Sequence, residues 1–519
     1  MPDPLLTGRG MTMSDQLARH ARTAPDDVAL RFGAARRTYR ELDDRATRLA
    51  NALRLRGIGP GDRIAVLGHN GIEVIECYYA AARLGAICVP VNFRLVADEI
   101  AYVLADSGAA AVLVDETFAD VVAAARAKAR CTEVCLVIGD ARSDGAERYE
   151  DALREASTEP VDVAVDEHSP AFVMYTSGTT GHPKGAVLTH RNLLMHTFSM
   201  LVQNGVCDND RIGLSGGPLF HIAGLAAMLP TLLIGGTWVV ARTGGFDPAE
   251  AVAVLERERV TSCFFVPAQW QAICAVPDIA ERDLSALRRV TWGAAPASTD
   301  LLRRMIETFP DAEVTSVFGQ TECSPVTTML RGADALRKIG SVGKPILNVE
   351  ARIVDDDMND VPPGEVGEIV YRGPMVMQGY WGRPEETAEA FRGGWFHSGD
   401  LVRQDEDGYL FVVDRKKDMI ISGGENIYCA EVENTLHGHP KIAEVSLIGV
   451  PDPKWGETPL AVLVPREAAD PPTAEELLAW SRERMAAYKC PRRIQVVGEL
   501  PRNPSGKVLK NRLREQYSK

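Results

Sequence analysis

Hydrophobic and polar positions alternate along the chain in blocks that predict strands and helices in turn. Between residues 63 and 129, short apolar runs alternate with longer segments whose apolar residues recur at helical spacing. The predicted elements are strands at 63–68, 86–90 and 110–114 and helices at 71–84, 96–106 and 118–129. This order indicates α/β units around a largely parallel sheet.

The alternation of strands and helices resumes in the middle of the chain. Short apolar runs predict strands at 171–175, 238–241, 261–266, 289–293 and 313–318. In parallel sheets, ligands bind beyond the carboxyl ends of the strands. The loops after Tyr175, Gly293 and Phe318 leave strands at that end, and we therefore expect these three loops to converge on one cleft.

The pattern changes after Asn348 to shorter strands separated by turns such as the Pro-Pro-Gly at 362–364. These strands predict a β-rich subdomain that completes a large domain. A charged run at 414–418 then precedes a small unit whose pattern predicts strand, helix, two strands, helix and strand. We therefore predict a mixed α/β (α+β) fold, with a large N-terminal domain at 1–414 and a small C-terminal domain at 415–519.

The chain length agrees with a division into domains, because 519 residues exceed what one hydrophobic core supports. Residues 214–241 carry no formally charged side chain and are long enough to suggest a membrane span. Pro230, Gly235 and Gly236 divide this stretch into a helix-length piece and a short strand. We therefore predict a buried core segment here and no transmembrane segment.

The charge of the chain restricts its partners. A formal net charge of −14 argues against nucleic acid, because phosphate backbones are bound by basic surfaces. Ten scattered cysteines, without paired short spacings, favour reduced thiols over disulfides or a metal site. The N-terminus lacks the basic and apolar segments of an export signal, so we expect a cytoplasmic protein. The sequence leaves a homodimer and a peripheral membrane contact open.

A loop rich in glycine and hydroxyl side chains follows the predicted strand at 171–175. It reads Tyr-Thr-Ser-Gly-Thr-Thr-Gly-His-Pro-Lys-Gly from 175 to 185. Its glycines let the backbone approach a ligand, and its hydroxyls and lysine supply donors for a polyphosphate. The residues that we assign to phosphate binding are Thr176, Ser177, Gly178, Thr179, Thr180, Gly181 and Lys184. A flexible surface turn is the alternative, and the length and order of the loop argue against it.

A second segment, at 318–322, combines an aromatic residue, a glycine and a carboxylate. Phe318 offers a face on which a base can stack, with core packing as the alternative. Thr321 can donate to a phosphate, and Glu322 can bind Mg²⁺, which prefers a carboxylate together with phosphate oxygens. In a third segment, at 293–296, small residues permit a flat ring to lie against the backbone.

Together these segments resemble the motifs of the adenylate-forming superfamily, which includes acyl-CoA synthetases, luciferases and peptide-synthetase adenylation domains. The loop at 175–185 resembles its phosphate loop, and 318–322 resembles its aromatic-Gly-x-Thr-Glu motif. The resemblance spans 38–510 with the motifs in the family's order, and it is specific to the CoA-ligase branch. It implies ATP and CoA as co-substrates, Mg²⁺ as the metal and a C-terminal domain that rotates during the reaction.

The resemblance assigns roles in the ATP site. AMP would be bound by Thr176, Ser177, Gly178, Thr179, Thr180, Gly181, Lys184, Gly293, Ala294, Ala295, Pro296, Phe318, Gly319, Thr321, Asp400 and Arg415. Within this set, Asp400 would accept hydrogen bonds from the ribose hydroxyls and Arg415 would reinforce that contact. The catalytic set would be Thr176, Lys184, His221, Lys507 and Glu322, which would also hold Mg²⁺. Lys417 matches the hinge.

The resemblance also implies sites for CoA and for the acid. CoA would contact Gly423, Gly424, Trp455, Tyr488 and Arg492. The acid pocket would be lined by His221, Ile222, Ala223, Gly224, Ala227, Gly319, Pro325 and Val326. Relatives that activate amino acids use a carboxylate in the region 214–243, where this chain has none, so a plain carboxylic acid is favoured. Pro325-Val326 resembles the hydroxycinnamate ligases, whereas Ala223 lacks the bulk that many of them carry, and His221 is either a gate beside the carboxylate or a core histidine.

We therefore expect an ATP- and Mg²⁺-dependent acyl-CoA synthetase. It would convert a carboxylic acid to an acyl adenylate with release of pyrophosphate, and then transfer the acyl group to CoA. A fatty acid is the favoured substrate, and an aryl acid of the hydroxycinnamate, feruloyl or benzoate type is the alternative. Transfer to a carrier protein, a luciferase-like oxygenase and a non-catalytic nucleotide-binding protein are the further alternatives.

Overall fold

The computed structural model describes residues 10–141, 145–176, 182–205, 211–295, 297–422, 425–502 and 508–518. Contacts between residues divide the chain into two compact units. The first comprises Met1–Glu350 and Tyr371–Phe396, and the second comprises Ala351–Val370 and His397–Lys519.

The helices and strands are numbered in chain order. The helices are α1 (Met13–Thr23), α2 (Tyr39–Leu55), α3 (Ile72–Leu84), α4 (Ala97–Ser107), α5 (Ala119–Ala129), α6 (Tyr149–Glu155), α7 (His190–Asn204), α8 (Ile222–Leu233), α9 (Pro248–Arg257), α10 (Pro267–Ile273), α11 (Thr299–Thr308), α12 (Gly332–Ala335), α13 (Pro384–Ala390), α14 (Cys429–His437), α15 (Ala474–Arg482) and α16 (Lys510–Tyr517). The strands are β1 (Val28–Phe32), β2 (Ala35–Thr38), β3 (Arg63–Leu67), β4 (Ile87–Pro90), β5 (Ala109–Asp115), β6 (Val134–Ile138), β7 (Glu147–Arg148), β8 (Pro170–Thr176), β9 (Lys184–Thr189), β10 (Ile212–Ser215), β11 (Thr237–Val240), β12 (Ser262–Phe265), β13 (Arg289–Gly293), β14 (Glu313–Gly319), β15 (Val326–Leu330), β16 (Lys344–Pro345), β17 (Glu350–Val354), β18 (Val366–Arg372), β19 (Gly379–Tyr380), β20 (Phe396–Gln404), β21 (Leu410–Arg415), β22 (Ile420–Ser422), β23 (Glu425–Ile427), β24 (Ile442–Asp452), β25 (Gly456–Pro465) and β26 (Arg493–Val496).

One sheet of the first unit carries the strands on either side of the glycine-rich loop. Its order in the described residues is β19-β9-β8-β4-β3-β5-β6-β7. The strands from β8 to β7 in this order are parallel, whereas β9 is antiparallel to β8 and β19 is antiparallel to β9. Val89, Val112 and Val173 are buried in the apolar cluster that packs against this sheet. Removing such side chains from water is the main term that stabilises the packing.

The other sheet of the first unit has the order β16-β15-β14-β13-β12-β10-β11-β1-β2 in the described residues. β10 to β14 are parallel to their neighbours, and β15 returns antiparallel to β14. Trp270 of α10 is fully buried against this sheet, and its indole Nε1 donates to the carbonyl of Thr291 at 3.0 Å. The bulky core therefore fixes the strands whose carboxyl ends face the candidate site.

The second unit contains two smaller sheets. One has the order β17-β18-β20-β21, and the other has the order β23-β22-β25-β24, with β26 beside β25. Val432 and Leu436 of α14 pack with Leu447 of β24 in one apolar cluster. Leu513 of α16 packs with Ile448 on the second cluster of this unit. The apolar faces of α14 and α16 therefore hold both helices on the sheet that contains β24.

The mixed α/β fold predicted from the sequence is confirmed. The predicted strand at 63–68 is β3, and the helix predicted at 118–129 begins one residue later because a 3₁₀ turn, Glu116–Phe118, precedes it. Residues 214–241 form the end of β10, α8 and β11 with the loops between them. In the described part of the chain, no helix has both the length and the apolar character that crossing a membrane requires. Residue contacts group 351–370 and 397–414 with the C-terminal residues. Such contacts describe compact units and not domain boundaries, and the boundary at 414 stays a prediction.

Candidate active site

Two of the three predicted loops, those after Gly293 and Phe318, lie at one edge of the sheet that contains β10 to β14. β12, β13 and β14 are adjacent and parallel, so their carboxyl ends lie side by side. Gly293 at the end of β13 is paired with Val317 of β14, two residues before Gly319. The loops after Gly293 and Phe318 are therefore neighbours.

Glu322 lies in a short 3₁₀ helix, Thr321–Cys323, directly after β14. A side chain at Gly319 would place Cβ 1.9 Å from the carbonyl oxygen of Pro325, and the φ of Gly319 is +154°. The turn is closed by the amide of Gln320, which donates to the same carbonyl at 2.9 Å. Only glycine allows this return of the chain, which leaves Glu322 buried at 7% exposure.

Tyr380 contacts both Glu322 and Lys184. Its hydroxyl donates to Glu322 Oε1 at 3.0 Å, and Lys184 Nζ lies 5.2 Å from its ring centroid. Burial and, next, the negative charge of Glu322 raise the pKa of Tyr380 above its usual range. The structure thus brings the predicted metal ligand and the predicted phosphate-binding lysine onto one tyrosine side chain.

The two ends of the glycine-rich loop are also fixed. Thr176 is paired with Lys184 across β8 and β9, and its hydroxyl donates to the Lys184 carbonyl at 3.4 Å. The hydroxyl of Tyr175 donates to Asp106 Oδ2 at 2.8 Å, and Arg383 Nη2 lies 2.6 Å from Asp106 Oδ1. The predicted phosphate ligands Ser177, Gly178, Thr179, Thr180 and Gly181 lie outside the described residues.

The turn after β13 also begins at a glycine that has no room for a side chain. A Cβ at Gly293 would lie 2.4 Å from the carbonyl oxygen of Val317. Ala294 has a φ of +66°, and both Ala294 and Ala295 are exposed, whereas Pro296 lies outside the described residues. Ser298 then caps α11 by accepting from the amide of Leu301. The small exposed residues leave the backbone of this turn accessible to a flat ring.

Phe318 and Thr321 lie on either side of Gly319, where the chain leaves β14, and both side chains are half-buried. The carbonyl of Phe318 accepts from the hydroxyl of Thr327 at 3.3 Å, and Phe318 is paired with Thr328 across β14 and β15. The structure therefore fixes the backbone on which both predicted AMP contacts stand.

His221 begins the predicted acid pocket as the N-cap of α8. Its Nδ1 accepts from the amide of Ala223 at 3.2 Å, so the proton of the neutral ring is assigned to Nε2. Burial lowers the pKa of His221, which keeps the imidazole neutral at neutral pH. His221 is therefore a donor held in a fixed orientation.

The other predicted pocket residues on α8 divide between two environments. Ile222 is buried at 2% exposure, and a Cβ at Gly224 would lie 2.3 Å from the carbonyl oxygen of Pro218. Ala223 and Ala227 are half-buried and four residues apart, so they lie on one helix face. The small side chains of this face leave room beside His221.

The turn at 324–326 completes the predicted pocket. Ser324 Oγ donates to the carbonyl of Met375 at 2.8 Å, and the peptide bond between Ser324 and Pro325 is cis. The amide of Val326 donates to Nε2 of His196 at 3.3 Å, and burial lowers the pKa of His196 to about 3. A neutral buried histidine therefore supports the turn that carries Pro325 and Val326.

In the second unit, the predicted ribose ligands are paired with each other. Asp400 and Arg415 are opposite residues on β20 and β21, and Arg415 Nε lies 2.5 Å from Asp400 Oδ1. Behind them, Glu368 accepts from the amide of Gly399 at 3.0 Å and contacts His397 Nδ1 and Lys416 Nζ at 3.1 Å each. Burial opposes ionisation, but these hydrogen bonds lower the pKa of Glu368 below its usual range. A charged glutamate thus fixes the turn before Asp400.

The predicted hinge residue, Lys417, is exposed in a turn in which the carbonyl of Arg415 accepts from the amides of Asp418 and Met419. Lys507 lies outside the described residues. The helix that begins three residues later, α16, is tied to this turn, because Arg514 Nη2 lies 2.9 Å from Asp418 Oδ1. The segment after Lys507 is therefore anchored beside the predicted hinge.

Three of the predicted CoA residues, Trp455, Tyr488 and Arg492, lie in the described part of the second unit, whereas Gly423 and Gly424 lie outside the described residues. Ser422 at the end of β22 is paired with Gly456, so Trp455, the residue before Gly456, lies next to this pair. Trp455 and Tyr488 are each 43% exposed, and Arg492 is exposed at the start of β26. The structure therefore brings Trp455 close to the end of β22.

The surroundings of Glu322 suit a magnesium ligand. In the described ranges, no group of three or more His, Cys, Asp or Glu side chains could hold a metal ion. Mg²⁺ needs no such group, because it is commonly held by one or two carboxylates and by the phosphates of its substrate. A single carboxylate, oriented by a tyrosine that also contacts Lys184, fits this mode of binding.

Sequence reasoning missed three residues that position the predicted ligands. Tyr380 contacts Glu322 and Lys184, Glu368 fixes the turn before Asp400, and His196 supports Val326. Tyr380 lies in a strand of two residues, and the other two are far in sequence from the residues they support. No spacing in the sequence signals these contacts.

Comparisons with known proteins agree with this geometry. The model of the AMP-binding enzyme family matches residues 17–381, and that of the AMP-binding enzyme C-terminal domain matches residues 431–507. A feruloyl-CoA synthase from Amycolatopsis sp is 45% identical over 500 residues, which cover 96% of this chain and 98% of that protein. A long-chain-fatty-acid–CoA ligase from Mycobacterium tuberculosis is 38% identical over 485 residues, with 93% of each chain covered.

The chain is also similar to a solved structure over almost its whole length. O-succinylbenzoate coenzyme A synthetase (MenE) from Bacillus subtilis, in complex with ATP and a magnesium ion, has a TM-score of 0.85 and 32% identity, covering 96% of this chain and 98% of that one. The chain belongs to the AMP-binding enzyme family. The prediction of an AMP-forming acid–thiol ligase is confirmed.

Proposed function

We propose that the protein is an aryl-CoA ligase, which converts an aryl carboxylic acid to its adenylate with ATP and then to its CoA thioester. The observation that carries the aryl assignment is the 45% identity with a feruloyl-CoA synthase, against 38% with a long-chain-fatty-acid–CoA ligase. An aryl acid, the alternative substrate in the sequence analysis, therefore replaces a fatty acid as the favoured substrate.

Aromatic residues beside His221 support the aryl assignment. The ring of Phe220 lies 5.4 Å from that of Phe93 in an edge-to-face arrangement, and Phe93 stacks on Phe118 at 5.6 Å. His69 lies 4.6 Å from Phe93. Aromatic rings gain energy from such edge-to-face contacts, and an aryl substrate next to Phe220 would extend the cluster.

In the first half-reaction, the carboxylate oxygen of the acid attacks the α-phosphorus of ATP, and pyrophosphate leaves. Mg²⁺ held by Glu322 would offset the charge on the phosphate oxygens. Lys184 and the amides and hydroxyls at 176–181 would bind the phosphates, and Asp400 with Arg415 would hold the ribose. His221 Nε2–H would donate to the carboxylate of the acid, and Lys507 would bind the oxygens on which charge develops.

In the second half-reaction, the CoA sulfur attacks the acyl carbon, the bond to the AMP oxygen breaks, and the thiol proton leaves to solvent. Rotation about Lys417 would withdraw Lys507 and bring the turn at 423–424 to the site. Trp455 and Tyr488 would line the pantetheine path, and Arg492 would contact the phosphates of CoA. Each of these roles is a proposal that rests on the family's motifs.

The substrate class is tested by comparing kcat/KM for ferulate, cinnamate, indoleacetate, hexanoate and dodecanoate, with CoA and MgATP saturating. The aryl acids are expected to exceed both fatty acids by about 10- to 200-fold, the range that pocket complementarity provides. Thioester formation is measured by chromatography, and each acid is also run without enzyme. A fatty acid that matched or exceeded the aryl acids would contradict the assignment.

A further inference from the structure

Tyr380 lies between the strand that carries Lys184 and the turn that carries Glu322. It is paired with Ala186 across β19 and β9, and the amide of the next residue, Trp381, donates to the carbonyl of Gly185 at 2.8 Å. Its own amide donates to Thr387 Oγ1 at 2.9 Å. The backbone of Tyr380 is therefore fixed independently of any ligand.

The segment before Tyr380 is fixed to the Glu322 turn. The amide of Met377 donates to the carbonyl of Glu322 at 2.7 Å. The carboxylate of Glu322 accepts from the Tyr380 hydroxyl at 3.0 Å. The main chain and the side chain of Glu322 therefore both contact this one segment, and Tyr380 contributes to the direction of its carboxylate.

We propose that Tyr380 is a positioning residue of the adenylation site: its hydroxyl orients the carboxylate of Glu322, and its ring holds the ammonium of Lys184. The inference rests on the proposed function, because it takes Glu322 and Lys184 as ligands of Mg²⁺ and of phosphate. A carboxylate accepts up to about four hydrogen bonds, so the bond from Tyr380 leaves Glu322 able to bind a cation. The ring face attracts a cation at this distance.

The hydroxyl of Tyr380 contacts the side chain that would bind Mg²⁺. A residue that orients a metal-binding side chain typically changes metal affinity 10- to 100-fold when it is lost. The effect of Tyr380 should therefore appear in the dependence of ATP binding on Mg²⁺.

The direct test is calorimetric titration of ATP in the absence of acid substrate, with and without MgCl2. Tyr380→Phe removes the hydroxyl and keeps the ring. It is expected to reduce the gain in ATP affinity that Mg²⁺ provides by about 10- to 100-fold, while ATP binding without Mg²⁺ stays as in the wild type. Tyr380→Leu is expected to weaken ATP binding without Mg²⁺ by a further factor of about two to five, since the ring contact to Lys184 is lost as well.

The chain offers a matched control in Tyr149. Its hydroxyl donates to Glu76 Oε2 at 2.7 Å, and both residues are buried elsewhere in the first unit. Tyr149→Phe deletes the same kind of bond, from tyrosine to buried glutamate. It should lower the unfolding temperature without changing the effect of Mg²⁺ on ATP affinity.

A double-mutant cycle with Glu322→Gln separates orientation from general loss of structure. If Tyr380 acts through the Glu322 carboxylate, Tyr380→Phe will cost little more in the Glu322→Gln background. The inference is overturned if Tyr380→Phe keeps the wild-type gain from Mg²⁺, or if its effect simply adds to that of Glu322→Gln. Failure of the proposed function would look different: the wild type would bind ATP more tightly with Mg²⁺ and yet activate no aryl acid.

Discussion

Lys507→Ala is expected to slow acyl-adenylate formation about a thousandfold. Two unit charges 4 Å apart interact by about 4 kcal/mol at an effective dielectric constant of 20, and each 1.36 kcal/mol changes a rate tenfold. The lysine would contribute this interaction as charge builds on the carboxylate and the α-phosphate. The rate is measured as acid-dependent exchange of labelled pyrophosphate into ATP.

The same variant should be nearly normal in the second half-reaction. Thioester formation from chemically prepared acyl adenylate and CoA is expected to fall less than about tenfold, because the proposed rotation of the C-terminal domain would withdraw Lys507 at that stage. Lys128→Ala is the matched control, since Lys128 is an exposed lysine paired with Asp98 on the surface of the first unit. Wild-type exchange by Lys507→Ala would remove the lysine from the catalytic set.

Glu322→Gln is expected to lower kcat/KM for MgATP about a hundredfold and to raise the Mg²⁺ concentration needed for half-maximal rate. Glutamine keeps an oxygen that can accept from the Tyr380 hydroxyl, so the contact between the two side chains survives. What is lost is the negative charge that would attract Mg²⁺. The measurement is the initial rate of AMP formation over a series of MgCl2 concentrations at fixed ATP.

Glu313→Gln provides the control on the same strand. Glu313 begins β14, and its Oε1 lies 2.9 Å from Arg331 Nε. Burial opposes ionisation, but the hydrogen bond from Arg331 and then the charge of Arg331 lower the pKa of Glu313. The substitution removes an ion pair at the opposite end of the strand from the site, so it should change stability and leave the Mg²⁺ dependence as in the wild type. An unaltered Mg²⁺ dependence in Glu322→Gln would show that another group holds the metal.

The sequence predicted the parts of the fold that depend on local pattern. The periodicity of apolar residues located strands such as β3 and helices such as α3, because each buries one face on its neighbours. The convergence of the loops after Gly293 and Phe318 followed from a general property of parallel sheets, whose carboxyl ends share an edge. The sequence places glycines at 293 and 319, and the structure gives the reason: a side chain at either would collide with a carbonyl oxygen.

Other features depend on contacts between distant parts of the chain and could not be predicted. Tyr380 and Glu322 are 58 residues apart, and β19 has two residues, too few for any periodicity. The second unit takes in residues 351–370 because β18 pairs with β20, which the charged run at 414–418 does not indicate. The burial of Ile222 beside half-buried Ala223 likewise follows from how α8 packs rather than from its composition.

The most direct test of the whole account is the product balance of the wild-type enzyme with ferulate, MgATP and CoA. We predict equal amounts of AMP, pyrophosphate and feruloyl-CoA, with none of the thioester when CoA or Mg²⁺ is omitted. Release of ADP and phosphate would contradict an adenylate intermediate. AMP and pyrophosphate without a thioester, in the presence of CoA, would contradict the assignment of CoA as the acyl acceptor.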